Sequence, residues 1–150
     1  MKYNIKAFNE LTTDEIYEIM RVRNEVFVVE QNCVYQDCDG KDKKSYHLYY
    51  MNNNRIIAYV RILEKGISYE EVSIGRVLVS NEYRGRGLAR KCMQKAIDFV
   101  GNNLNEYVIR ISAQEYLKEF YRSLGFKAVS NVYLEDDIPH IEMLYNLEKE

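Results

Sequence analysis

The spacing of hydrophobic and polar positions changes period several times along the chain, and each change marks an element. Tyr3 to Phe8 alternates with a period of two, as a short strand does. Thr12-Thr13-Asp14-Glu15 then supplies a capping box, in which Thr12 and Glu15 satisfy each other's orphan donors at a helix start. Ile16, Ile19, Met20, Val26 and Phe27 recur at helical spacings on one face, with Glu15, Glu18 and Arg21 expected in water. Asn32 to Ser45 breaks the pattern as a polar loop carrying Asp37, Asp39, Gly40, Asp42 and three lysines.

Strand-type runs follow at His47 to Met51 and Arg55 to Leu63, joined through Asn52-Asn53-Asn54, whose side chains tolerate left-handed turns. Val72 to Ser80 reads as another strand. After a glycine-rich loop, Leu88, Ala89, Cys92, Met93, Ala96, Ile97 and Val100 form an apolar helical stripe. Tyr107 to Ile111 is a compact strand, and Gln114 to Leu124 an amphipathic helix closed by Gly125 in a left-handed cap. Lys127 to Tyr133 and Ile141 to Leu147 finish as strands, separated by Glu135-Asp136-Asp137 and Pro139. This order predicts a mixed α/β (α+β) sheet covered by helices. Parallel pairing is expected between the strands that flank the helix after the glycine loop.

At 150 residues the chain fits one domain, residues 1–150, with no repeat or low-complexity segment. Its net charge of −2 gives no global attraction to nucleic acid or an anionic membrane. The positive charge is local: Arg84 to Lys95 holds five cations and no anion, which points to a small polyanionic partner there. Three cysteines, an odd and sparse set, fit a reducing cytoplasm better than a disulfide framework. The first residues lack the apolar region of a signal peptide, and no run reaches the length of a membrane span, so export and insertion are not expected.

Tyr83-Arg84-Gly85-Arg86-Gly87-Leu88-Ala89 is the chemically informative loop. Two glycines let a backbone approach a ligand, and the first N–H groups of the next helix have no acceptors of their own, so an anion fits. A dinucleotide fingerprint would need a third glycine where Arg90 stands, and a P-loop would need Gly-Lys-Ser/Thr at a different spacing. A tight strand-to-helix turn with solvated arginines remains the plain alternative.

The loop resembles the pyrophosphate loop of the GNAT superfamily of acyl-CoA-dependent N-acetyltransferases, with Arg84, Gly87 and Ala89 filling its pattern. The likeness extends to Gly75 to Ser80 and to Glu119-Phe120-Tyr121-Arg122-Ser123-Leu124-Gly125-Phe126. Arg23 to Gln31, Tyr35-Gln36-Asp37 and Val132 to Ile141 further resemble its ElaA-like subfamily. The resemblance implies the GNAT fold, a mixed and mostly antiparallel sheet of about six or seven strands flanked by helices. It also implies acetyl-CoA as cosubstrate, a primary amine as acceptor, and direct transfer through a tetrahedral intermediate. Leu78 and Val79 would line the acetyl and pantetheine arm, and Arg84, Gly85, Arg86, Gly87, Leu88 and Ala89 would hold the pyrophosphate. A non-catalytic acyl-CoA sensor and a protein lysine or N-terminal acetyltransferase are the alternatives, and a homodimer is left open.

Acyl transfer needs a neutral amine, a stabilised oxyanion and a proton for the departing thiolate. Tyr121 matches the family's general acid, although Tyr116, Phe120, Tyr121 and Leu124 also read as an ordinary core stripe. An ordinary phenol protonating a thiolate is uphill by about 2 kcal/mol, so the proton must be relayed. For the amine base the candidates are Glu30, Glu71, Asp137 and His140; imidazole has the best-matched ordinary pKa, and Glu30 is assigned to the acceptor pocket. Cys92 belongs on the apolar stripe. No metal is expected: Asp37, Asp39 and Asp42 form only a fragment of an oxygen-ligand loop, Cys33 and Cys38 lack a second ligand pair, and His47 reads as a strand residue.

Overall fold

The computed structural model describes residues 2–147; Met1 and residues 148–150, the outermost of the expected 1–150 domain, lie outside the described residues. The chain runs β1 (Lys2–Ala7), α1 (Thr13–Arg23), β2 (Ser45–Asn52), β3 (Arg55–Leu63), β4 (Val72–Val79), α2 (Leu88–Asn103), β5 (Val108–Gln114), α3 (Lys118–Ser123), β6 (Lys127–Ala128), β7 (Tyr133–Glu135) and β8 (Ile138–Asn146). The eight strands form one sheet in the order β1-β2-β3-β4-β5-β8-β6, with β7 also on β8. Every pairing is antiparallel except β4 with β5, the two strands that flank α2.

Local signals set several of these boundaries. Thr12 Oγ1 accepts from the Glu15 N–H at 3.1 Å while Glu15 accepts from the Thr12 N–H at 2.8 Å, so the capping box opens α1 as expected. Asn53 and Asn54, both with positive φ, turn β2 into β3. Gly125, at φ +112°, ends the α3 region.

Other boundaries differ from the sequence reading. Lys127 to Tyr133 is not one strand: β6 has two residues, and Tyr133–Glu135 forms a hairpin with Ile138–Asn146 through Asp136 and Asp137, both left-handed. Pro139 lies inside β8 opposite Leu134, rather than before a strand beginning at Ile141. Residue 114 ends β5 instead of starting a helix, and α3 is preceded by a single 3-10 turn at Glu115–Leu117. Tyr116 is consequently 73% exposed and no part of the core.

Helices cover both faces. Met93, Ala96, Ile97 and Val100 of α2 pack with Leu48, Val60, Ile62, Ile109 and Ile111 on one face. Ile19 and Val22 of α1 pack with Tyr49, Ile56 and Tyr59 on the other. β3 is buried on both sides after Arg55, hence its nearly unbroken apolar run. Glu15 and Glu18, expected in water, are partly enclosed at the edge of α1. Glu15 receives Tyr49 Oη at 2.6 Å and Lys6 Nζ at 2.9 Å, and Glu18 binds Arg21 and the Ile56 N–H. Among the described residues no helix is long and apolar enough to cross a membrane.

Candidate active site

Two departures from regular pairing open the site. β4 and β5 share a ladder only at Val72 with Ile109 and Ser73 with Arg110, and beyond those pairs no register joins them. β4 also bulges. Tyr59 faces Leu78 and Arg61 faces Gly75, so three β4 steps oppose two on β3, with Arg76 left-handed at φ +51°. A cleft of about 1230 Å³ lies there, lined by β4 from Ser73 to Val79, the end of β5, the loop before α2, α3 and the β7–β8 hairpin.

On the donor side, Gly87 caps α2 in the left-handed conformation and no side chain satisfies the helix start. The first backbone bond onto this turn runs from the Lys91 N–H to the Gly87 carbonyl at 3.1 Å. The N–H groups of Leu88, Ala89 and Arg90 thus have no helical acceptor. A Cβ on Gly85 or Gly87 would meet nothing within 4 Å, and both residues border the cleft. Open N–H groups with clear approach at Gly85 and Gly87 are the geometry that an anion can use.

The arginines are not equivalent. Arg84 lines the cleft, giving its Nε to the Val79 carbonyl at 2.9 Å and its Nη2 to Glu30 at 2.7 Å. Arg86 stacks over Tyr83 and is absent from the cleft wall, whereas Arg90 lines it, over Phe120 and bonded to Ser123. Arg86 was expected in the cradle, and Arg90 is one of the five cations expected beside it; the structure places Arg90, in the first turn of α2, on the cleft wall and Arg86 off it.

Tyr121 is 6% exposed, held edge-on between Phe120 and Phe126, and lines the cleft. Its phenol has no hydrogen-bond partner among the described residues. Burial, with a smaller contribution from Tyr116, pushes its pKa well above the ordinary value, so the phenol keeps its proton.

On the opposite wall, His140 is 7% exposed and stacks on Tyr133. Its Nδ1 lies 2.7 Å from the Ile138 carbonyl and must donate to it, so in the neutral ring the lone pair is on Nε2. Glu135 stands 3.9 Å from that Nε2 and also accepts from Ser112. Ser112 in turn bonds Tyr133. Glu30, at the end of the π-helical continuation of α1 (Asn24–Glu30), lines the cleft as well. Leu78, Val79, Gly85, Leu88 and Ala89 are on the same wall system. The structure therefore brings Tyr121, His140, Glu30 and the glycine loop to one space.

Two base candidates fall away. Glu71 is held by Arg110 at 2.9 and 3.1 Å outside the cleft, and Asp137 sits in the hairpin turn, where its neighbour Asp136 faces the cleft instead. Gln31 and Gln114 face each other across the cleft at 3.3 Å, and the reading of residue 114 as helix concealed the second of them.

The Asp37 to Asp42 segment is held by a network of ion pairs, and Asp39, Lys41, Arg61 and Arg76 border the cleft. Arg23, fully buried, bonds Asp37 at 2.9 Å and Asp42 at 2.6 Å; Arg61 bonds Asp39 and Asp42, and Arg76 bonds Asp37. Burial alone would raise the Asp42 pKa, but Arg23 and Arg61 hold it below the ordinary carboxylate range. Three guanidinium groups thereby tie the polar loop to α1 through Arg23, to β3 through Arg61 and to the bulged β4 strand through Arg76. His47 extends the cluster, bonded to Tyr59 Oη at 2.7 Å and to the Asp42 carbonyl at 2.9 Å. Cys92 is core, and burial pushes its thiol up to about 12.

Comparison with known proteins shows which family this fold and cleft belong to. The model of the acetyltransferase (GNAT) domain matches residues 9–147. The chain belongs to the GNAT acetyltransferase family. ElaA of Escherichia coli is 40% identical over 137 residues, 90% of each chain, and its crystal structure superposes with a TM-score of 0.91 at 37% identity over 97% of this chain and 100% of that one. An acyl-CoA N-acyltransferase from Pseudomonas aeruginosa superposes at 0.89 with 38% identity, over 97% and 99%. At 13% identity an aminoglycoside 6'-N-acetyltransferase, solved with coenzyme A, shares the GNAT fold at 0.74 over 98% of each chain. This GNAT domain has eight strands where six or seven were expected, because its last region splits into β6 and β7. Family membership and the acyl-CoA N-acyltransferase relative support an acyltransferase that uses acyl-CoA.

Proposed function

We propose that this protein transfers an acetyl group from acetyl-CoA directly to a primary amine on a small molecule or peptide. What supports the reading most is that the open N–H groups at Leu88 to Arg90, the Tyr121 phenol and His140 Nε2 all border one cleft. The donor's pyrophosphate lies on Arg84 to Ala89 with Arg90 beside it, and its acyl arm runs along Leu78 and Val79. A strand N–H near Val79 polarises the thioester carbonyl.

His140 takes one proton from the incoming ammonium, and the neutral amine attacks the thioester carbon to give a tetrahedral intermediate. As the C–S bond breaks, the nitrogen's second proton passes through Tyr121 to the sulfur. The high pKa of Tyr121 makes a net donation to a thiolate uphill by more than about 2 kcal/mol. Tyr121 therefore bridges, receiving a proton as it gives one. The products are an amide, the coenzyme A thiol and a protonated His140 that loses its proton to water. Cysteine chemistry has no part in this route, and the three free thiols suit a reducing cytoplasm.

The test is thiol release from acetyl-CoA over a panel of amines and peptides, paired with thermal stabilisation by acetyl-CoA. Stabilisation together with amine-dependent release supports the reading. Stabilisation without release identifies a sensor, and the absence of both removes the donor assignment.

A further inference from the structure

We infer that Glu30 and the donor's diphosphate are alternative partners of Arg84, so that donor binding frees Glu30 for the acceptor. The inference rests on the acyl-CoA assignment proposed above. In the structure every nitrogen of the Arg84 guanidinium is engaged: Nε by the Val79 carbonyl at 2.9 Å, Nη2 by Glu30 at 2.7 Å, and Nη1 by Asn81 at 3.5 Å. The cation of the diphosphate loop is thus already neutralised by a carboxylate from another element.

The next residue ties this ion pair to the far wall. Gln31 reaches Gln114 at 3.3 Å, and Gln114 is the β5 residue in register with His140. Residues 30 and 31 therefore strap the cleft from the diphosphate loop to the strand beside the base. A diphosphate offers Arg84 more negative charge than one carboxylate and takes the N–H groups of Leu88 to Arg90 at the same time. Once it displaces Glu30, that carboxylate loses its ion-pair partner, Arg84 being the only one among the described residues. It is left on the same wall as Gln31 and Gln114, where an arriving ammonium supplies the missing positive charge. Donor binding in this way completes the acceptor site.

The probe is coenzyme A, titrated calorimetrically at physiological ionic strength into the wild type, Glu30→Gln, Arg84→Gln and the double variant. The Glu30–Arg84 pair is partly exposed, so removing the competing carboxylate tightens coenzyme A by roughly two- to fivefold, as the modest worth of exposed ion pairs dictates. The gain disappears in the Arg84→Gln background, because there is then no cation to compete for. An unchanged or weakened affinity in Glu30→Gln overturns the inference. An equal gain in both backgrounds overturns it too, since Glu30 would then only repel the anion at a distance. Coenzyme A binding with no Glu30 effect leaves the donor assignment standing, whereas no binding to the wild type removes both.

Discussion

His140 donates its Nδ1–H to the carbonyl of Ile138 at 2.7 Å, which in the neutral ring puts the lone pair on Nε2, the ring nitrogen 3.9 Å from Glu135 on the cleft wall. The β7–β8 hairpin makes this possible. Asp136 and Asp137 adopt the left-handed turn that brings Glu135 back beside Ile138, and Pro139 then leads directly into the histidine. If Nε2 is the base, His140→Gln lowers kcat/KM for the amine by about 10²- to 10⁴-fold and leaves coenzyme A affinity unchanged. Steady-state kinetics beside a coenzyme A titration checks this, and an unimpaired variant moves the base elsewhere.

Tyr121→Phe keeps the ring contacts with Phe120 and Phe126 and removes only the phenol. Its fold and donor affinity are expected to match the wild type while kcat falls. Because burial raises the folded-state pKa of Tyr121, the neutral phenol's contribution to stability is complete below the unfolded value near 10 and fades as pH rises through the higher folded value. No loss of activity from Tyr121 ionisation is therefore expected below about pH 10, as a pH–rate profile will show.

Asp42→Asn breaks a buried network by removing the charge that faces Arg23 and Arg61. Loss of one member of such a pair typically destabilises by about 3–5 kcal/mol, which urea unfolding would measure. Since Arg23 and Arg61 hold the Asp42 pKa below its unfolded value, its stabilisation is present above the unfolded value and drains away as pH falls toward the folded one. Unfolding of the Asn variant should accordingly depend less on acid than that of the wild type.

Gly87→Ala and Gly125→Ala separate binding from folding. Both positions have positive φ, at a cost of about 1–2 kcal/mol for an L-residue. At Gly87 the new Cβ meets nothing and borders the donor loop, so weakened coenzyme A binding accompanies a modest stability loss. At Gly125 it would sit 2.8 Å from the Tyr145 ring, so stability falls further while coenzyme A affinity is kept. Thermal unfolding and calorimetry on the two variants test that ordering.

Much of this arrangement is written locally. The Thr12–Glu15 box, the Asn53-Asn54 turn, the left-handed Gly125 and the α2 stripe each depend on residues within a turn or two of one another. What the sequence hides is long-range. Arg23 and Asp42 are nineteen positions apart and meet only when α1 lies on the sheet, so the aspartates read as a partial metal loop. Pro139 looked like a strand breaker, yet it sits in β8 opposite Leu134, where its missing N–H leaves the rest of the β7–β8 pairing in place. The Glu30–Arg84 pair spans 54 positions, and neither residue's local pattern announces the other.

Direct transfer from acyl-CoA to an amine in this cleft leaves a signature in the products. Its most direct measurement is the stoichiometry of free thiol and N-acetylated product as amine concentration is raised at saturating acetyl-CoA. Direct transfer gives saturable release with one amide formed per thiol, and no acetyl group retained on the protein. Thiol release that ignores the amine, or an acetyl group found covalently on the protein as an intermediate, would contradict it.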